Sequence, residues 1–521
     1  MYKKNCFYFF IFLLFIGFNC RSQSNIEDSS LNNLNGLRLL YADYIWLTSD
    51  NPVGIAEINQ PRLGKAFLGF AQEQGSFFNY NSPKSIDNIS FLTEGYTKPN
   101  KISYYGKLKY QKSKEYNLVW NDASFIAEEN PFIIADSIGG NYDNEIFYLE
   151  GKMSSKNAAG NLIWGLALSY KVGNKVDQTD PRPEISSVLF SFKPGVSIVC
   201  GQWVLGTNLY LTYLKEKVDF DVVDTHTNYR YFRFMGFGKY LGLSGDDLTR
   251  FYKGWDYGGS LQAQYIASHW TNLLEVQLHQ DYQRAEEGSG NTRFLAGDYT
   301  KISFEVSDRI RFVREWGIHE ISLKGGISEI EGKWFDQHQV TDNEGTQYWE
   351  VYNESIRYKK TILQAGAGYA LMSKLRDTRI SQILSAGLNL RMDMADFYPE
   401  GYSQNIYNLT ARLGVFKQWQ TGQTDFSIDI ELDYRYNPQS DLDIDEIELV
   451  EQVSYPDHYF RSSDYLNVNG ILKLGIPKLF NKSTLPYIAI ENRWLQTTGT
   501  TPYFEKSAYR LYSGVRLGLI F

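Results

Sequence analysis

Asp441, Asp443 and Asp445 carry carboxylates at the first, third and fifth positions of an acidic run, a spacing at which a loop can wrap oxygen ligands round a calcium ion. The rest of such a loop is missing. Glu446 stands where the sharp turn needs glycine, and Gln452 stands where a bidentate glutamate would close the site. A solvated acidic surface loop accounts better for the run, with a looser calcium site fed by other loops left open. The six histidines, His226, His269, His279, His319, His338 and His458, show neither metal-ligand spacing nor a nucleophile partner. No catalytic residues and no cofactor are therefore expected, although a hydrolase whose catalytic groups are gathered only by the fold would carry them far apart in sequence.

Two further groups could bind rather than react. Tyr229, Tyr231, Phe232, Phe234, Phe237 and Tyr240 form an aromatic cluster that could stack on a sugar or another apolar ligand, or pack on itself as the core of an ordered loop. Ser244 to Asp247 ahead of Leu248 to Tyr252 looks like an N-cap opening a short helix. The second group is charged and mixed in sign: Asp429, Glu431, Asp433 and Glu305 against Arg435, Arg412, Arg391, Lys301, Lys473, Arg510 and Arg516. Each lies on the polar face of an alternating segment, which suits a hydrated lumen with paired charges rather than a filter of one sign.

The segments that carry these charges read as strands. Between Phe426 and Tyr436, apolar Phe426, Ile428, Ile430, Leu432, Tyr434 and Tyr436 alternate with Ser427, Asp429, Glu431, Asp433 and Arg435. The same dyad period recurs from Tyr407 to Val415, from Leu384 to Met392, from Ile302 to Val306 and from Leu162 to Tyr170. Each has the length of a membrane strand. The gaps alternate too. Short turns at residues 97–100, 155–160, 268–271, 374–379, 420–424 and 477–483 separate hairpins whose other ends are long polar stretches, 113–143, 217–256, 280–297, 333–358 and 437–464. This rhythm predicts a transmembrane antiparallel up-and-down β-barrel of roughly 18 strands, within a range of about 14–18, with long extracellular loops.

The chain ends on Tyr509, Leu511, Val515, Leu517, Leu519 and Phe521 on one face, with Arg510, Tyr512, Gly514, Arg516 and Gly518 on the other. It resembles the C-terminal targeting signal of outer-membrane β-barrels, which implies that Leu517, Leu519 and Phe521 are read by the barrel-assembly machinery. At the other end, Lys3 and Lys4 precede an apolar run from Cys6 to Phe18, too short to span a bilayer but suited to a secretion leader cleaved before Gln23. A lipoprotein would instead be acylated on Cys20, which Phe18 and Asn19 fit poorly. The expected division is a leader at 1–22, a periplasmic or plug segment at 23–61 and a barrel at 62–521.

Residues 37–47 have mixed periodicity and predict a short helix, followed by a turn at Ser49 to Gly54. Asn51-Pro52-Val53-Gly54-Ile55 is similar to the Asn-Pro-Ala-Gly-Leu element of the long-chain fatty-acid transporter family, with Val53 and Ile55 as departures. The similarity implies that Tyr44, Trp46, Asn51 and Pro52 belong to a plug folded into the lumen, against the small residues Gly165, Ala167, Gly366, Gly368 and Gly387.

Composition agrees with one large barrel. Aromatic residues make up 16% of the chain, 39 of them Tyr, and Gly numbers 43, as expected of wide sheets with interfacial aromatic belts. The net charge of −8, made more negative by loss of Lys3, Lys4 and Arg21 with the leader, argues against a nucleic-acid partner. Cys200 alone would remain in the exported protein, so no disulfide framework is available. The expected partners are outer-membrane lipids, the assembly machinery, and a periplasmic or surface protein. The functions in view are a channel or transporter for small solutes or apolar nutrients, or a non-conducting barrel serving as a binding or assembly subunit.

Overall fold

A computed structural model describes residues 34–521 apart from 225, 246, 289–292, 342, 344, 346, 375–379, 421–423 and 477–483. The leader expected at 1–22 lies outside the described residues, as do most of the turns expected at 374–379, 420–424 and 477–483. The chain enters through helix α1 (Gly36–Asp43), a 3-10 turn at Ile45–Thr48 and another at Pro52–Glu57. Strands follow as β1 (Arg62–Gly75), β2 (Ser85–Thr97), β3 (Ile102–Leu118), β4 (Ile134–Asp136), β5 (Gly140–Lys156), β6 (Leu162–Val176) and β7 (Pro183–Cys200). Next come β8 (Trp203–Asp221), β9 (Arg230–Gly236), β10 (Lys239–Ser244), β11 (Asp247–Ile266), β12 (Trp270–Glu287), β13 (Phe294–Arg314) and β14 (Gly317–Thr341). The last are β15 (Gln347–Lys374), β16 (Ile380–Phe397), β17 (Tyr402–Gln420), β18 (Asp425–Asp443), helix α2 (Tyr455–Ser462), β19 (Tyr465–Gly475), β20 (Leu485–Thr497) and β21 (Tyr509–Ile520).

Eighteen of these strands form one closed antiparallel barrel, while β4, β9 and β10 make a separate small sheet. Closure is by β1 on β21, in a register that sets Leu68 opposite Leu517 and Ala66 opposite Leu519. Among the described residues the barrel sheet leaves no edge strand to lipid, which is what a membrane requires of strands. The period of two gives the wall its two faces. Leu68, Phe70, Leu168, Leu261, Leu278, Leu388, Leu413, Ile430 and Leu517 stand exposed on the outside, an apolar belt for lipid. Rings cluster where the belt ends, among them Trp203, Tyr265 and Trp270, with centroids 4.9 and 5.2 Å apart.

Turns at the end of the barrel where β1 begins and β21 ends are short, as at 98–101, 201–202, 267–269 and 315–316. The opposite end differs from the sequence expectation. Of the long polar stretches, 217–256, 280–297 and 333–358 are mostly strand, whereas 113–143 is mostly loop and 437–464 mostly loop and helix. β15 runs for 28 residues, about 90 Å of extended chain, against roughly 9–11 residues for one tilted crossing.

The reason shows in β14, where polarity inverts along a constant alternation. Leu323 and Ile327 face out into the apolar belt, and Glu329 and Glu331 continue that outer row, still exposed. On the inner row Lys324 and Ser328 give way to Ile330 and Trp334, 1% and 6% exposed. Beyond Ile327 the outside is water and the inside is a packed core.

Two other expectations are corrected here. Leu248 to Tyr252 is strand, not helix, because Leu248, Arg250 and Tyr252 alternate into that core while β11 pairs with β8 and β12 on either side. The acidic run does not form a loop over its first residues: Asp441 and Asp443 are the end of β18, paired with Asn405 and Ser403, and only Asp445 lies beyond it. An extended strand sends alternate side chains the same way about 7 Å apart instead of wrapping them round an ion. Among the described residues no group of three or more His, Cys, Asp or Glu is placed to hold a metal ion.

Candidate functional site

The lumen has a floor, a ceiling and a chamber between them. The floor is the segment before β1. Leu39 and Ala42 of α1 pack on Ile318, Met372, Ile380 and Phe416 of one wall sector. Leu40, Ile55 and Ile58 pack on Leu63, Tyr96, Leu485, Tyr487 and Ile520 of a second. Ile45, Trp46, Val53 and Ala56 pack on Ile163, Val204 and Leu273 of a third. A segment of about two dozen residues thus touches walls on several sides, at the end of the barrel where β1 begins.

Asn51 begins the second 3-10 turn by accepting from the Val53 amide at 3.2 Å. Its Nδ2 donates to the Thr207 carbonyl at 3.0 Å and to Gln262 Oε1 at 2.9 Å. Tyr44 Oη accepts from the Asn59 amide at 3.1 Å. Glycines make room for this turn. A Cβ on Gly165 would lie 2.8 Å from the Val53 nitrogen, and one on Gly195 would lie 2.9 Å from Pro52 Cδ. Gly366, Gly368 and Gly387 make no such room for this segment, since the nearest atoms at each belong to neighbouring strands.

The ceiling is built from residues 119–139 with β4, β9 and β10. Phe132, Ile134, Tyr229 and Tyr231 pack with Leu118, Tyr142, Ile185, Val218, Phe220, Leu248, Tyr252, Phe294 and Trp334 of the wall extensions. Phe232 and Phe234 pack with Leu449 and Val453, against Trp120 and Tyr240. The aromatic cluster is therefore largely self-packed, with Tyr231, Phe232 and Phe234 at most 3% exposed. One ion-paired knot is buried in it: Glu287 accepts from Arg233 and from Arg250, the latter side chain wholly buried.

Between floor and ceiling lies a cavity of about 920 Å³, bounded by Thr48, Ser49 and Asp50 below and Ala127, Glu128 and Glu129 above. A second cavity of about 740 Å³ shares Ser49, Asp50, Asp256, Gln277 and His279 with it, so the two are parts of one chamber. The walls are polar: Lys301, Glu305, Lys324, Gln364, Asn389, Arg391, Arg412 and Asp433 on one side, and Lys107, Lys152, Ser169, Lys193 and Thr212 on the other.

The inward charges are largely neutralised by partners. Arg412 bonds Asp433 at 2.7 Å and lies 3.3 Å from Glu431. Arg38 of the floor pairs with Asp429, and Lys193 with Asp50. Arg510 donates to Glu73 at 2.9 Å, and Arg516 pairs with Glu491. Arg435 instead donates to the Ser463 and Phe460 carbonyls beside α2, at 2.9 Å each. Arg391 reaches both Asp393 and Glu129 at 3.0 Å. The structure does not gather the eleven charges expected to line the lumen into one group; they are spread round the wall.

Sequence reading missed Glu129, which also takes Lys360 and lies 3.9 Å from Arg461. Lys360 and Arg391 lie 231 and 262 residues away, so no local pattern could announce the cluster. Burial would raise the Glu129 pKa, but Lys360, Arg461 and Arg391 hold it down at about 2.

The model of a family of unknown function, DUF6850, matches residues 52–521. The chain belongs to that family. Among curated proteins none matches it. Solved structures similar to it include the copper transporter OprC, at 8% identity over 88% of this chain and 81% of that one, TM-score 0.40. The ferric yersiniabactin uptake receptor FyuA from Yersinia pestis is similar at 9% identity over 88% and 80%, TM-score 0.39. The RagAB peptide importer in its "closed-closed" state is similar at 7% over 89% and 87%, TM-score 0.40. The resemblance of residues 51–55 to the fatty-acid transporter family finds no support in these comparisons. The closed 18-stranded wall with its apolar belt is that of an outer-membrane β-barrel.

Proposed function

We propose that this protein carries small hydrophilic solutes across the outer membrane through a lumen closed at rest by a plug below and a folded lid above. The observation that carries the reading is the polar chamber, about 920 and 740 Å³ in its two parts, comparable to a site for a small molecule. It lies between two elements that are not part of the wall. A barrel needed only as a membrane anchor has no use for a hydrated compartment with paired charges of both signs. The polar lining supports a hydrophilic cargo over apolar nutrients.

A second reading is a non-conducting barrel whose loop end binds a surface ligand or partner. The extent of the core under the lid favours it, since a lid with buried ion pairs is costly to unpack. Single-channel conductance in planar bilayers separates the two. The intact barrel should stay closed. A barrel lacking residues 37–55 and also residues 121–133 should conduct while still assembling with normal heat-modifiable migration. If that assembled double deletion passes no current, the non-conducting reading takes its place.

A further inference from the structure

Three cations meet one carboxylate where the lid touches the wall. Glu129 Oε2 accepts from Lys360 Nζ and lies 3.9 Å from Arg461 Nη1, while its Oε1 accepts from Arg391 Nη2 at 3.0 Å. Lys360 belongs to β15 and Arg391 to β16, whereas Arg461 belongs to α2 and Glu129 to the lid. The Lys360 side chain is 3% exposed and that of Glu129 12%.

Two other acids share the cations: Asp393 bonds Arg391 at 3.0 Å, and Asp457 bonds Arg461 at 2.9 Å. With Glu129 in place the charges balance, three against three. Without it one positive charge is left over beside Lys360, whose side chain is 3% exposed, while those of Arg461 and Arg391 are 24% and 40% exposed; the imbalance is unfavourable where the buried lysine sits. The lid residue therefore cannot leave freely. It can leave when another oxyanion takes its place.

Position gives this substitution a purpose. Residues 127–129 line the chamber on one side and an outer cavity of about 450 Å³ on the other. Lys360 and Arg461 face the outer cavity, and Arg391 faces the chamber. An anion arriving from the loop end meets two of the cations first and the third as it passes inward.

We propose that Lys360, Arg391 and Arg461 form a receiving site for an oxyanion group, carboxylate or phosphate, of the incoming solute, occupied in the closed barrel by the protein's own Glu129. The geometry asks for two or more oxygens on one centre, because Glu129 already divides its two oxygens between different cations. Binding there releases the lid turn that carries Glu129 and joins the outer cavity to the chamber. This inference rests on the transporter reading and names the chemical class of its cargo.

The test reads lid opening, with the plug still in place. A single reporter cysteine replaces Ser328, which lines the chamber, in a full-length Cys200→Ser background. Its reaction with an impermeant maleimide is followed on purified barrel in detergent. Citrate or inorganic phosphate should speed labelling at least tenfold over sodium chloride of equal ionic strength, the control for screening. Glu129→Gln should label that fast with no anion added. In Arg391→Gln the response to citrate and phosphate should be lost.

Equal rates in citrate, phosphate and chloride would overturn the proposal, even if Glu129→Gln failed to fold, because that arm uses the native site. So would an assembled Glu129→Gln barrel that labels no faster than its parent. Either failure leaves the transporter reading standing, whereas a double-deletion barrel without conductance removes that reading whatever the labelling shows.

Discussion

Trp46 Nε1 donates to Gln264 Oε1 at 2.6 Å, fixing the plug's largest side chain to β11 of the wall. The indole is 1% exposed, and it fits because Gly206 on β8 leaves room: a Cβ there would lie 2.7 Å from the ring. Trp46→Ala should therefore loosen the plug by about 3–5 kcal/mol, the usual cost of emptying a buried tryptophan site. Gly206→Val should do the same from the other side of the contact. Limited proteolysis in detergent should cut residues 37–57 faster in both variants while the barrel keeps its heat-modifiable migration. Unchanged cleavage would mean that the plug is held elsewhere.

The lid has its own critical pair. Arg250 is wholly buried and depends on Glu287, which also holds Arg233. Glu287→Ala strands two cations in the core beneath the lid, at a cost of roughly 3–5 kcal/mol. Thermolysin should then nick residues 119–139 many times faster than in the parent, with the membrane part of the barrel intact. A lid equally resistant in the variant would show that the pair contributes nothing to closure.

What could be read in the sequence, and what could not, follows from which surroundings stay constant along a strand. From Phe426 to Tyr436 one face meets lipid and the other the lumen throughout, so the alternation is clean and the segment is legible. In β14 the solvents on the two faces change at Ile327, and the pattern that identifies a membrane strand stops while the strand does not. Residues 333–358 therefore read as a loop although most of them pair in β14 and β15. Asn51 and Pro52 could be marked from a local turn signal. The Glu129 cluster and the Asn51 bond to Gln262 join positions more than 200 residues apart, and nothing local encodes them.

Plug seating should depend on pH through Glu57. Burial pushes its carboxyl from 4.5 up to about 7, with Lys156 and Arg311 opposing. The seated plug thus favours the neutral acid, whereas an unseated Glu57 in water ionises near 4.5. The plug should be tightest below about pH 4.5, loosen as pH rises from there to about 7, and change little above. Proteolysis of residues 37–57, compared at each pH with Glu57→Gln, checks this. The ratio between the two proteins should rise across that window, and a flat ratio would refute the assignment.

Phe521 closes the seam of the barrel on Gly64. Its amide donates to the Gly64 carbonyl at 2.9 Å, and the Gly64 amide donates back at 2.7 Å. Its ring covers the glycine so closely that a Cβ would lie 2.6 Å away. Leu517 and Phe521 are about half exposed on the lipid side, so folding energy alone gives little reason for an aromatic ending. Deleting Phe521 removes two backbone hydrogen bonds, worth about 1 kcal/mol each, and an acidic residue near the edge of the lipid belt costs less than one at its middle. These losses are too small to unmake a barrel. We therefore expect that deletion of Phe521, Phe521→Ala, and Leu517→Asp with Leu519→Asp each cut the heat-modifiable band in outer-membrane fractions about tenfold while export is unchanged, because the assembly machinery no longer reads the last strand. Phe521→Ala is the decisive case, since it keeps both backbone bonds. If it inserts as well as the parent, the ring is only a seam cover and the signal lies elsewhere in β21.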